Sequence, residues 1–116
     1  MDLTVWTEDL AGAVVVRVVG DLDVATEVEF VARARDLRVA SMPRVVVDLT
    51  GVTFLDARGI AALVELTRQV NEGGGRLALV AMLTARRLLH LALLDRVITV
   101  VNTVEEAVGL VTSVDD

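Results

Sequence analysis

The 116-residue chain contains no cysteine, no lysine and a single histidine, His90. Without cysteine there is no disulfide, no thiolate nucleophile and no Cys-bound zinc. One histidine leaves a transition-metal site short of donors. The missing lysines exclude Schiff-base chemistry, a phosphate-binding P-loop lysine and the lysine of a receiver domain; all 11 basic residues are arginine. Aromatic residues make up only 3% of a chain that is 54% hydrophobic, so valine, leucine, isoleucine and alanine must build the core. Abundant valine favours strands. The formal net charge of -6 argues against a non-specific grip on nucleic acid or on anionic lipid. No uninterrupted apolar run approaches the ~20 residues of a membrane span. The opening MDLTVWTEDL lacks the basic-then-apolar order of a signal peptide, and the expected location is the cytoplasm. Lysine-free usage rich in alanine, valine and arginine is associated with GC-rich bacterial genomes.

The length suits one domain with one core, residues 1–116. Leu3–Trp6 and Ala13–Val19 read as strands joined by a turn over Glu8–Gly12, with Gly20 ending the second. Thr26-x-x-Glu29 fits a capping box, and apolar residues then recur at helical spacing, predicting a helix over Val24–Val39. Ser41-Met42-Pro43 breaks the chain. Val45–Leu49 is a short, nearly continuous apolar run, the pattern of a buried parallel strand. A second helix is predicted over Ala57–Asn71. It buries Ile60, Leu63, Leu66 and Val70 and exposes the stripe Arg58, Ala61, Glu65, Arg68 and Glu72. Gly73-Gly74-Gly75 stops it. Arg76–Val80 and Val97–Val101 read as strands, Thr84 as the cap of a short helix to Leu91, and Thr103-x-x-Glu106 as a capping box opening a terminal helix to Val111. The resulting order, β-β-α-β-α-β-α-β-α, is an α/β fold: a mixed, mostly parallel central sheet of about five strands with four helices.

No assembled active site emerges. Arg86-Arg87 is too short a basic run for nucleic acid. The triple glycine precedes a strand, whereas a phosphate loop leads into a helix. Glu105 and Glu106 are adjacent and point apart. His90 lies among leucines, where a packed or half-exposed role is the ordinary one. The expected cofactor set is empty, and no metal is expected. Asp56, directly before a helix, has two readings: an N-cap that accepts from free backbone N–H groups, and a docking residue. Arg58 sits in the first helical turn, where the dipole disfavours a cation by roughly 0.3–1 kcal/mol. It therefore either meets an acidic or phosphate group of a partner, or is a solvated residue paired with Asp56.

Three segments in this order resemble the STAS domain of bacterial anti-sigma factor antagonists. Gly20–Thr26, GDLDVAT, is close to the family's GELDLAT. Val45–Ile60, VVVDLTGVTFLDARGI, is close to VVLDLSGVTFIDSSGL. Leu94–Val97 and Val104–Ala107 are close to LDRLF and its trailing EEA. The resemblance covers nearly the whole chain and implies a STAS-like single domain. It also implies a non-enzymatic regulator that binds a kinase-like anti-sigma factor and releases the sigma factor held there. In the family a serine following the conserved aspartate is phosphorylated by the same anti-sigma factor, which abolishes binding. The resemblance matches Asp56 to that aspartate, Ala57 to the phosphorylated serine, Arg58 to a second serine and Gly59 to the glycine. It matches Asp21 and Asp23 to the acidic residues of the first loop. The implied partner surface is Asp21, Asp23, Thr53, Asp56, Ala57, Arg58 and Gly59. Ala57 has no hydroxyl, so partner switching by phosphate at this position is closed. Val28 also replaces a common proline. Thr50 and Thr53 are nearby hydroxyls: each is a candidate displaced phosphosite, with a structural role as the alternative. Two further readings stay open: a STAS adaptor subunit of a signalling or transport assembly, and a nucleotide-binding domain using Arg58 and Thr53.

Overall fold

The computed structural model describes residues 2–34 and 43–113. Five strands form one sheet in the order β1-β2-β3-β4-β5. They are β1 (Leu3–Leu10), β2 (Ala13–Leu22), β3 (Arg44–Leu55), β4 (Arg76–Val80) and β5 (Thr99–Val101). β1 and β2 are antiparallel, and the other neighbours are parallel. Among the described residues, the helices are α1 (Glu27–Ala34), α2 (Ala57–Glu72), α3 (Leu83–Leu91) and α4 (Val104–Thr112), with a 3-10 turn at Leu94–Arg96.

Side-chain alternation divides the core into two layers. Val16 and Val18 of β2, Val45, Val47 and Leu49 of β3, and Leu77 and Leu79 of β4 pack against Phe30 of α1, Leu63 and Leu66 of α2 and Leu89 of α3. The intervening residues Ala13, Val15, Val46, Ala78 and Val80 meet Ala107, Val108 and Val111 of α4. Both faces of the central strands are therefore apolar, which explains the unbroken Val45-Val46-Val47 run. On α2, Leu63, Leu66 and Val70 are buried as expected, and Ile60 is half-buried.

Several boundaries differ from the local reading. The hairpin pairs as far as Leu10↔Ala13, leaving only Ala11 and Gly12 in the turn. Both have positive φ, 51° and 91°, the two-residue geometry that follows strand twist. Gly20 does not end β2. At φ +109° it carries the strand through an irregularity in its pairing with β3 and on to Leu22. β3 runs on beside it to Leu55. The first helix starts at Glu27 rather than Val24, and its expected extension over 35–39 lies outside the described residues. α3 is preceded by Met82, which makes no side-chain capping bond, so Thr84 is not its cap. Thr103 does cap α4, accepting from the Glu106 N–H at 3.1 Å. β5 begins at Thr99 rather than Val97.

On the α4 side of the sheet, Asp48 is 7% exposed. One carboxylate oxygen accepts from Arg17 Nη1 at 2.7 Å; the other accepts from the Thr50 N–H at 3.0 Å and the Thr50 hydroxyl at 2.7 Å. Burial pushes the carboxyl upward, but the Thr50 and Arg17 bonds outweigh it and hold it below its ordinary 3.8. A depressed carboxyl stabilises the fold above its unfolded pKa, and that contribution disappears as pH falls through the folded value. Asp48→Ala is expected to lower stability at pH 7 by about 1–3 kcal/mol, because it strands the Thr50 backbone N–H and leaves the half-buried Arg17 guanidinium with Glu8 alone of its two carboxylate partners. The gap between wild type and variant begins to narrow as pH falls below about 4, which urea denaturation across pH 3–7 will show. A gap that stays constant across that range contradicts the assignment.

Candidate functional site

The candidate site is built where β2 and β3 end side by side and α2 begins. Asp56 is the N-cap of α2: Oδ1 accepts from the Arg58 and Gly59 N–H groups, both at 3.0 Å. Its other oxygen, Oδ2, reaches across to the Val24 N–H at 3.2 Å. The Asp56 N–H donates to the Leu22 carbonyl at 3.3 Å. One residue thus ties the start of α2 to the loop after β2. The Gly59 N–H foremost, with the Val24 and Arg58 N–H groups and the Arg58 charge, holds the Asp56 carboxyl below its ordinary range.

That loop is closed on itself. Asp23 Oδ1 accepts from the Ala25 and Thr26 N–H groups at 2.9 and 3.1 Å, an Asx turn. The Asp23 carbonyl accepts the Glu27 N–H at 2.9 Å. The Thr26 hydroxyl turns backward: it accepts from the Asp23 N–H at 3.1 Å and donates to the Asp21 carbonyl at 2.6 Å. The expected Thr26–Glu29 capping box is therefore replaced by this local closure, in which Asp23 does the capping. Asp21 and Asp23 are both buried. Asp21 also accepts from the exposed Thr53 hydroxyl at 3.0 Å, joining β2 to β3. The outward face of the loop consists of Val24 and Ala25.

Of the residues matched to the partner surface, Thr53, Ala57 and Arg58 are exposed, Asp56 is half-exposed and Gly59 is buried. Gly59 is where α2 comes closest to β2; a Cβ there would lie 2.2 Å from the Leu22 carbonyl oxygen. Ala57, the first residue of α2, presents a methyl group to solvent.

Arg58 has a partner that local rules did not reveal. Its Nε and Nη2 bond Glu27 Oε1 at 2.8 and 2.5 Å. The Glu27 side chain is 17% exposed and that of Arg58 63%. Glu27 lies in the first turn of α1, where the dipole favours a carboxylate, and it offsets the cation that the dipole of α2 disfavours. The pairing of Arg58 with Asp56 is thus backbone N–H to carboxylate, while the guanidinium goes to α1.

The other singled-out residues lie elsewhere. Thr50 and Asp48 face the α4 side. His90 is exposed and its Nδ1 lies 2.7 Å from Asp95 Oδ2. That contact foremost holds the Asp95 carboxyl below its ordinary range. Among the described residues no cluster of His, Cys, Asp and Glu is placed to hold a metal ion, and no helix is long and apolar enough to cross a membrane.

Comparison with known proteins places this geometry. The model of the STAS domain matches residues 5–107. Among solved structures, an anti-sigma factor antagonist from Mycobacterium paratuberculosis superposes with a TM-score of 0.83 at 28% identity, over 97% of this chain and 96% of the other. A putative anti-sigma factor antagonist from Thermotoga maritima gives 0.84 at 21% identity, over 94% and 95%. The anti-sigma factor antagonist SpoIIAA in its unphosphorylated form gives 0.73 at 18%, over 96% and 100%. The chain belongs to the STAS domain family.

Proposed function

We propose that this chain is an anti-sigma factor antagonist whose docking surface is fixed in one charge state. It binds a kinase-like anti-sigma factor through Thr53, Asp56, Ala57 and Arg58 and releases the sigma factor held there, without phosphorylation at position 57. Asp21, Asp23 and Gly59 set the shape of this surface from beneath. The observation that carries the reading is the exposed methyl of Ala57 at the first position of α2, in a turn otherwise organised by Asp56. A side chain without oxygen takes no phosphate, so control passes to protein level or to the partner's own occupancy. The action is regulatory rather than catalytic, and its setting is the bacterial cytoplasm. A nucleotide-binding role is disfavoured because Arg58 and Thr53 are engaged by Glu27 and Asp21, in a setting rich in carboxylate.

The test omits ATP. The source organism's anti-sigma factor–sigma factor complexes are incubated with the protein at several-fold excess and resolved by size exclusion. One complex is expected to release its sigma factor. If none does, the antagonist reading fails and the adaptor reading, in which the fold serves an assembly outside sigma regulation, takes its place.

A further inference from the structure

Leu83 is a large apolar residue that folding does not explain. It is 84% exposed, and its φ of +53° is in the left-handed region. For a bulky non-glycine residue that conformation is strained, and no burial offsets it here. Met82, 49% exposed, and Phe54, 53% exposed, are further apolar residues at the same ends of β4 and β3. A trough of about 260 Å³ runs between the end of β3 and α3, lined by Val52–Leu55, Thr84, Ala85 and Leu88. Thr53 belongs both to this trough and to the surface around Asp56.

We infer that Phe54, Met82 and Leu83 are the apolar half of the docking surface, and that Leu83 is the residue that enters an apolar pocket on the anti-sigma factor. The inference rests on the function proposed above. The occupant follows from continuity and chemistry. The trough that Phe54 and Thr84 line shares Thr53 with the surface around Asp56, and an apolar anchor beside a hydrogen-bonded polar rim is the anatomy of a protein interface. Anionic lipid and nucleic acid are poor occupants for a chain of net charge -6 whose neighbouring turn carries Glu27 and Asp56. Strain held at an exposed residue is characteristic of positions kept for function at the expense of stability.

The experiment compares wild type with Leu83→Asn, Phe54→Ser and, as a control for loss of exposed apolar surface, Val97→Ser, a residue 74% exposed before β5. Each is titrated by calorimetry with the source organism's purified kinase-like anti-sigma factors, and each is melted. Leu83→Asn and Phe54→Ser are expected to weaken binding at least ~10-fold, with Val97→Ser unchanged. Because asparagine tolerates the left-handed conformation, Leu83→Asn should melt at or above the wild-type temperature. Wild-type affinity in both patch variants would overturn the inference and leave the proposed function standing. A lower melting temperature in Leu83→Asn alongside weaker binding would assign Leu83 to the fold and also overturn it. Absence of binding by wild type itself sinks the proposed function and the inference with it. Self-association of wild type that Leu83→Asn abolishes, with anti-sigma binding intact, would give the patch to a second copy and overturn the stated occupant.

Discussion

Gly59→Ala is expected to destabilise the protein by roughly 3 kcal/mol and to lower its Tm by about 15 °C. Position 59 is in the first turn of α2, where alanine is ordinarily the better helix former by about 1 kcal/mol. Local propensity therefore predicts a gain. Packing reverses the sign. The added Cβ would lie 2.2 Å from the Leu22 carbonyl oxygen and 2.9 Å from Leu55 Cδ1. The first obstacle is backbone, so no rotamer change relieves it. The start of α2 must retreat by about an ångström to reach ordinary contact. That retreat breaks the Asp56 N–H bond to Leu22 and the Asp56 carboxylate bond to Val24. The same variant should therefore lose partner affinity together with stability, since the surface is defined by those bonds. Thermal melts and hydrogen exchange at the Val24 amide check both effects. A Gly59→Ala protein as stable as wild type would mean that α2 does not approach β2 as closely as described.

The sequence made much of this architecture legible because most of its signals are local. Alternation and unbroken valine runs marked the strands, and Asp56 and Thr103 acted as caps in the way their positions implied. The Arg58, Ala61, Glu65, Arg68 and Glu72 stripe is exposed throughout. What stayed hidden is the part decided by contacts distant along the chain. Arg58 broke a local rule, and its compensation, Glu27, lies 31 residues earlier on another helix. Thr26 and Thr84 carried the composition of caps, but the Thr26 hydroxyl accepts from the Asp23 N–H instead of a first-turn N–H of α1, and α3 begins two residues earlier than a Thr84 cap would place it, behind Met82. β1 and β3 extend beyond their apolar runs because a neighbouring strand supplies a pairing register that hydropathy does not encode. The strain at Leu83 belongs to the backbone and leaves no compositional trace.

Ala57→Glu is expected to leave the fold intact and to weaken anti-sigma factor binding by about 100-fold. The two effects separate because the charge is added at a helix start. A carboxylate at the first position of α2 is favoured by the dipole by about 0.3–1 kcal/mol, so the melting temperature should hold or rise. Yet the new group finds few donors within the protein. Asp56 already takes the Arg58 and Gly59 N–H groups, and Glu27 already takes the Arg58 guanidinium. The turn therefore has no spare cation to absorb the charge, and the glutamate projects outward from an exposed position. Counting Glu27, Asp56 and Arg58, the turn changes from one net negative charge to two. Charge on this surface is thus set by a clasp between α1 and α2, and Arg58 does not make the surface positive. A partner that accepts the neutral methyl must then desolvate a carboxylate against its own surface, which is why binding rather than folding bears the cost. Calorimetric titration of the variant with the anti-sigma factor that binds wild type provides the measurement. Equal affinity would place position 57 outside the interface and remove the basis for a phosphorylation-independent antagonist.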